Sequence, residues 1–484
     1  MPCGRYPSGR QIVKGAASVM IPGLFARASG SETMRASFAA GLMVAVRVVG
    51  TLGTLVYTVL MARLMTPHDF GLAWTLWSAV FIASYLSTLN IGATAIREVV
   101  HARATGNDAA AAGFIVVSRR ILLAVSGPVI AGFIAVVWWR NPAIVAEHPL
   151  ALWLAAATIP VMGWNATNSA QAAALDQVVR SQVPGMLLRP LAFTLALGAM
   201  WTLKMAAGLE TVIALYLFIA VMIALVQIKL VWPYFGFVRS AKPDVSAWRH
   251  WVLGGLLLAP GRLLADRLKD LLVLISAFPL GAIGVAQIAV ALSLINFLNF
   301  AINAVETSFS PKTARSLTRG LAEGVAPRDM RRAIHFIAIT GVLKMAMVAG
   351  AVTALWFLLP LIVRLFGQEY EAAAPAAWCF VLIPASNAFF GNTSLVMQIF
   401  DQRAEFFLTS LLALCVLPLV GIFGVPLLIA RGGDPLVATS ASFALTLVAL
   451  QALRWALCLW RTGIDVSFAG ALVRRALLNR AGGR

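Results

Sequence analysis

Apolar runs of 20 to 27 residues, divided by short polar junctions, recur along the chain. A hydrocarbon layer about 30 Å thick is crossed by about 20 helical residues at 1.5 Å each. Twelve runs meet that length. In the first half they are Ala36 to Ala62, Phe70 to Ala93, Gly113 to Trp138, Leu150 to Ala174, Pro184 to Leu203 and Gly208 to Val231. In the second half they are Trp251 to Ala277, Pro279 to Val305, Ala333 to Leu358, Pro375 to Ile399, Phe406 to Ile429 and Leu436 to Trp460. The runs are long and lack strict alternation, so helices rather than barrel strands are predicted. The fold class is therefore all-α, a polytopic membrane protein of about twelve transmembrane helices.

Composition strengthens this reading. Of 484 residues, 60% are hydrophobic and only 12% charged, about half the charge of an ordinary soluble domain. Lys and Arg number 38 against 19 acidic residues. With the N-terminus inside, 27 basic residues fall to the inner segments and the adjoining span ends, 5 to the outer loops and 6 elsewhere within spans. Cytoplasmic loops retain Lys and Arg, so both termini are expected in the cytoplasm. The net charge of +19 then reads mainly as an orientation signal, and no nucleic-acid partner is expected. Cys3, Cys379, Cys415 and Cys458 form no CxxC pair, so neither a disulfide framework nor a metal site is indicated.

The expected domain plan is a cytoplasmic tail over 1–35, a first lobe over 36–231, a cytoplasmic linker over 232–250, a second lobe over 251–460 and a tail over 461–484. The first tail is read as uncleaved, because Pro22 and Gly23 interrupt its apolar stretch and a full span follows. The last tail mixes apolar residues with Arg474 and Arg475, as in a short interfacial helix. No motif for ATP binding, zinc hydrolysis or a serine nucleophile occurs. The chain is therefore read as a non-enzyme without cofactor.

An internal repeat supports two lobes of six helices. Phe70-Gly71, after the first span, corresponds to Ile283-Gly284, after the seventh, at an offset of 213. Asp176-Gln177, after the fourth, corresponds to Asp401-Gln402, after the tenth, at an offset of 225. Parallel repeats with both ends on one side suggest two bundles that rock about a central site.

The segments Ala62-Arg63-Leu64, Met65-Thr-Pro-His-Asp-Phe-Gly71 and Asn90-Ile-Gly92 resemble the opening of the Wzx-type oligosaccharide flippases of the MATE-like (MOP) superfamily. Phe366-Gly-Gln-Glu-Tyr-Glu371, followed by Ala372-Ala-Ala-Ala-Pro375, is similar to that family's outer loop before span ten. Where members usually have Leu-Gly-Pro, this chain has Met65 and Thr66 before Pro67. The resemblance implies a MATE-like fold in the bacterial cytoplasmic membrane. It also implies movement of an undecaprenyl-diphosphate-linked oligosaccharide to the outer leaflet by alternating access. Membrane lipid, polysaccharide polymerase and glycosyltransferases are the candidate partners.

Charges inside spans are costly and mark functional candidates. Arg262, Asp266 and Asp270 of span seven stand at i, i+4 and i+8, one helical stripe with Lys269 beside it. Arg47 and Arg262 lie at matching depths of the two repeats, about 16 Å from their inner ends. Arg47, Arg262, Lys269 and Lys344 are thus candidate cations of a cavity holding a diphosphate, which guanidinium forks bind bidentately. Asp266 and Asp270 are candidates for coupling to H+ or Na+. The competing reading is an ion-pair ladder in which these groups neutralise one another and Arg47. Arg454 is expected to snorkel to the inner surface, as Lys344 would on its alternative reading. Asn165, Asn168, Asn296, Asn299 and Asn303 either line a sugar path or bond between helices. Trp138, Trp139 and Trp251 are expected as interfacial anchors.

Three other function classes stay open. A MATE-type cation-coupled drug exporter would share the architecture but would favour acidic sites. A membrane-embedded polymerase or ligase would place Arg and His on a sizeable outer loop. A non-transporting scaffold is the third.

Overall fold

The computed structural model describes residues 32–140, 142–326 and 330–473. These residues are helical almost throughout and contain no strand. Ten helices among them are long and apolar enough to cross a membrane, or eleven when one bent pair is taken as a single span. The first elements are α1 (Glu32–Leu64), α2 (Pro67–Ser87), the short α3 (Ala95–Ala104), α4 (Asp108–Arg140) and α5 (Pro149–Ala174). Next come α6 (Val178–Thr202) and α7 (Leu209–Val231).

The polar junctions set the helix ends. At Met65-Thr66-Pro67 the Thr66 hydroxyl accepts from the Asp69 amide, Pro67 occupies the first helical turn, and Asp69 faces the helix dipole. All three favour a helix start there.

The helical stretch Trp248–Ala322 is two helices, α8 before Gly281 and α9 after it. Lys269 Nζ donates to Ser293 Oγ at 2.9 Å, although 24 residues of straight helix would separate them by about 36 Å. The chain therefore doubles back. Gly281, two residues after Pro279, makes the turn with φ 65° and ψ −176°, a conformation essentially confined to glycine. A second irregularity lies within α8 at Arg267, with φ −129° and ψ 16°. The chain continues as α10 (Arg331–Phe366), the bent pair α11 (Ala373–Phe389) and α12 (Thr393–Ile399), α13 (Ala404–Ala430) and α14 (Pro435–Thr462).

The repeat anchors share a local geometry. Asp176 and Asp401 are both left-handed, with φ 60° and 54°. The amides of Gln177 and Gln402 reach back to the Ala172 and Met397 carbonyls at 2.9 and 2.8 Å. The following helices each contain one widened π turn, Pro184–Leu188 in α6 and Val420–Gly424 in α13. The other anchor brings the halves into contact, for a Cβ on Gly71 would run into the Ala282 carbonyl.

Packing differs between the two ends of the bundle. At the Pro67 end one apolar core joins Met61, Phe70 and Trp74 to Val285, Phe366, Tyr370 and Phe380 of the second half. There the Arg63 guanidinium donates to the Arg364 and Leu365 carbonyls at 2.7 and 2.8 Å, capping the C-terminus of α10. At the Asp176 end the core separates, into Ile91, Val99 and Phe114 with Trp251, and Leu317, Met330, Val396 and Cys458.

Several expectations change. Trp251 is no interfacial anchor: it is 4% exposed and packs its ring 5.4 Å from Phe114, because the first part of α8 leans on α2 and α4. Trp138 and Trp139 are exposed at the end of α4. Arg454 does not snorkel; its Nε and Nη2 donate to Thr409 and Ser410 of α13, each at 3.1 Å. Of the tails, 1–31 and 474–484 lie outside the described residues, and a helix begins at Phe468 in the second.

Candidate functional site

The break at Arg267 gathers charge at the seam between α8 and α2. Helix α2 meets α8 there through Trp74, Phe81 and Tyr85. The Lys269 ammonium lies 3.9 Å from the centre of the Trp74 ring while it donates to Ser293. The Arg267 guanidinium lies 5.0 Å from the centre of Phe81 and its Nη1 is 3.6 Å from Asp270 Oδ2. Asp270 is only 7% exposed. Arg262 and Asp266 are exposed and follow Ala259 by three and seven residues, on one helical face with it. The Tyr85 hydroxyl of α2 donates to the Ala259 carbonyl at 3.0 Å.

The stripe expected at i, i+4 and i+8 is therefore interrupted. Arg267 leaves helical geometry, Asp270 pairs with Arg267 at i,i+3, and among the described residues no ion pair joins Arg262 to Asp266. The ladder reduces to one pair. Arg262, Asp266, Lys269 and Asp270 do come together at one seam.

Two cations outside the expected set belong here, Arg267 and Arg189. Arg189 sits just after the π turn of α6, with Nη1 3.4 Å from Met162 Sδ. The Tyr216 hydroxyl reaches the same sulfur at 4.0 Å. Tyr216 belongs to an aromatic wall: Tyr57 to Phe193 at 5.1 Å, Phe193 to Tyr216 at 5.7 Å, Trp77 to Tyr216 at 4.8 Å and Trp74 to Trp77 at 5.7 Å. The Nε1 atoms of Trp74 and Trp77 are buried without an acceptor in the protein. The only signal that could have singled out Arg189 was its place between Pro184 and Pro190 on an otherwise apolar run.

Arg47 approaches this region from α1. Gly50 lies against the Met186 backbone and Gly53 against Pro190, so α1 and α6 run in parallel register. That places Arg47 roughly 8 Å along the axis from Arg189. Its Nε is buried with no hydrogen-bond partner, and among the described residues it forms no ion pair.

Lys344 is placed elsewhere. It is 1% exposed, and its ammonium donates to Glu306 Oε2 and Asn392 Oδ1, each at 3.0 Å. It neither snorkels nor adds free charge to the seam. Asn392 precedes α12 at the bend after Gly391, whose φ is +66°. Asn165 donates to the Ala220 carbonyl at 3.3 Å, an interhelical bond, while Asn168 Nδ2 is buried without a partner. The side chains of Asn296 and Asn303 lie outside the described residues.

Taken together, the seam and its aromatic wall carry four cations, Arg189, Arg262, Arg267 and Lys269, against two carboxylates, Asp266 and Asp270. Such a surplus beside aromatic rings suits an anion carrying ring-shaped groups, since guanidinium binds phosphate and aromatic faces stack on apolar ring faces.

No family model and no curated protein matches the chain. Solved structures do. One is the inward-facing conformation of a multidrug resistance MATE family transporter of the MOP superfamily, at a TM-score of 0.65 and 14% identity, covering 90% of this chain and 99% of that one. An outward-facing MATE transporter gives 0.55 at 14% identity, covering 91% and 96%. A MOP superfamily transporter from Pyrococcus furiosus, described by the reverse polarity of its binding pocket, gives 0.57 at 13% identity, covering 88% and 94%. The all-helical chain thus has the fold of the MATE transporters over nearly its whole length.

Proposed function

We propose that this chain is a membrane transporter, not an enzyme, that flips undecaprenyl-diphosphate-linked oligosaccharide across the bacterial cytoplasmic membrane by alternating access. The observation that carries this reading is the cationic surplus at the aromatic seam. Arg189, Arg267, Arg262 and Arg47 hold the diphosphate, Lys269 is oriented by Trp74 and Ser293, and Asp266 and Asp270 couple the return step to H+ or Na+. Lys344 supports the second lobe through Glu306 and Asn392.

In this reading the chain makes twelve spans in two lobes, 36–231 and 251–460, with both termini cytoplasmic. The turn at Gly281 divides the long helical stretch into spans seven and eight, and the bent pair α11 and α12 forms span ten. The Pro67 end is then the outer one, and its single core marks an inward-open state. Glycosyltransferases supply the substrate and a polysaccharide polymerase consumes the product. The described likeness to a transporter of reversed pocket polarity is in keeping with an anionic cargo.

The second reading is a MATE-type multidrug exporter, favoured by the likeness to MATE transporters and by the buried carboxylate of Asp270. One experiment separates the two. In a strain lacking its own flippase, the chain is expected to restore surface polysaccharide, and Arg267→Ala, Arg189→Ala, Arg262→Ala and Arg47→Ala each to abolish it. Losing one charged hydrogen bond at the diphosphate costs about 1.5 to 3 kcal/mol, roughly tenfold to a hundredfold in rate. Correctly inserted arginine variants that keep full polysaccharide would overturn the assignment. Restored drug efflux with no polysaccharide would establish the second reading instead.

A further inference from the structure

At the end of α7 the chain makes a short 3-10 turn, Trp232–Phe235. Three of its four residues are aromatic, and each ring carries a guanidinium from a different element. Arg239, from the short helix that follows, lies 4.6 Å from the Trp232 ring centre. Arg180, from the first turn of α6, lies 4.8 Å from Tyr234. Arg119, from α4, lies 5.0 Å from Phe235 and 5.2 Å from Trp164 of α5. Among the described residues none of the three makes an ion pair. By contrast Arg103, stacked on Phe237, is neutralised by Asp108.

An orientation signal asks only for basic residues near inner span ends. It does not ask that they be stacked and kept from carboxylates, nor that two of them, Arg119 and Arg180, be half-buried. Stacking spends the guanidinium's faces and leaves its N–H edge to bind in the ring plane. Arg180 Nη1 uses part of that edge on Gln177 Oε1 at 2.9 Å. Its Nη2, like the Trp164 Nε1 against which Arg119 stacks, is buried with no acceptor in the protein. Two orphaned donors beside unpaired positive charge call for an anionic acceptor.

We infer that this turn is a binding site for the phosphodiester headgroup of an anionic phospholipid, with Arg119 and Arg180 as its principal ligands. A lipid is the source favoured over free phosphate because the turn ends a membrane-spanning helix and Trp232 projects from it, 45% exposed. That is the interfacial setting in which basic pockets between helices take up acidic headgroups. The site lies within the first half of the chain, away from the Arg267 seam, and stands whether or not the transported cargo is an oligosaccharide.

The test uses the full-length protein purified in mild detergent and titrated with phosphatidylglycerol, phosphatidylcholine or inorganic diphosphate. Native mass spectrometry and thermal unfolding are the readouts. The unmodified protein is expected to retain phosphatidylglycerol in preference to phosphatidylcholine and to unfold at a higher temperature with it. The double variant Arg119→Gln, Arg180→Gln is expected to bind phosphatidylglycerol about tenfold or more weakly. Arg119→Lys, Arg180→Lys is expected to be intermediate, since charge remains while the stacked fork is lost. Arg315→Gln, an exposed arginine on the same face, should match the unmodified protein. Equal retention of the two lipids by the unmodified protein overturns the inference, and needs no variant to fold. So does a double variant that binds as tightly as its parent, or diphosphate alone protecting as well as the lipid.

Discussion

At the scale of single residues, the environments of Lys344 and Lys269 differ in what they can tolerate. Lys344 is 1% exposed at the side chain while its partner Glu306 is 42% exposed. Removing the carboxylate strands a cation that solvent cannot reach, whereas removing the lysine leaves an anion that it can. Glu306→Gln is therefore expected to destabilise the protein more than Lys344→Met, by roughly 3 kcal/mol on the scale of broken buried pairs. The double variant should recover most of the loss, as thermal unfolding in detergent would show. At the seam, Lys269 rests on Trp74, so Trp74→Leu should mimic Lys269→Met in transport while leaving Asp270 paired with Arg267. Transport at the parent's rate in Trp74→Leu would show that the ring has no part in orienting the ammonium.

At the scale of elements, glycine decides two junctions. Gly281 turns α8 into α9 with a φ that side chains rarely adopt, so Gly281→Ala is expected to cost about 1 to 3 kcal/mol and to lower the unfolding temperature. Gly424, in ordinary right-handed geometry with only Val420 nearby, should accept alanine with little change. Gly71 matters for contact rather than conformation, because its missing Cβ lets α2 meet the Ala282 backbone. Gly71→Val is expected to prise the halves apart at the Pro67 end. Labelling of a cysteine placed at Tyr370, fully buried beside Phe70 at 5.7 Å between ring centres, should then rise severalfold. Unchanged labelling would show that this contact does not hold the end shut.

At the scale of the whole molecule, orientation is the open quantity that basic-residue asymmetry predicts. Single cysteines at Pro67 and Glu369 are expected to react with an impermeant reagent in intact cells. Cysteines at Lys312 and Gln402 should react only after lysis, in a background without Cys3, Cys379, Cys415 and Cys458. Protection of the Glu369 position in intact cells would refute both cytoplasmic termini and the inward-open reading of the single core at the Pro67 end.

What the sequence by itself determined is whatever depends on local or averaged physics. Run length and hydropathy dictate lipid-spanning helices, because every backbone group in a bilayer must bond within its own segment. Thr66-Pro67 and Pro279-Leu280-Gly281 mark helix starts and turns through their own dihedral and capping chemistry. The paired Asp176-Gln177 and Asp401-Gln402 signalled a repeat because the same left-handed turn needs the same short polar residues. The tertiary structure decided which charges share a space. Helical periodicity put Asp270 in line with Arg262 and Asp266, but the folded chain pairs Asp270 with Arg267, beside the break in the helix. Lys344 joins Arg47 as a candidate cavity cation by sequence, yet Glu306, 38 residues away, neutralises it and Asn392, 48 residues away, accepts from it. Arg189 had only its place between two prolines as a local mark, and the rings around Trp232 had none, since an arginine's role depends on what stands opposite it, and only packing brings that residue near.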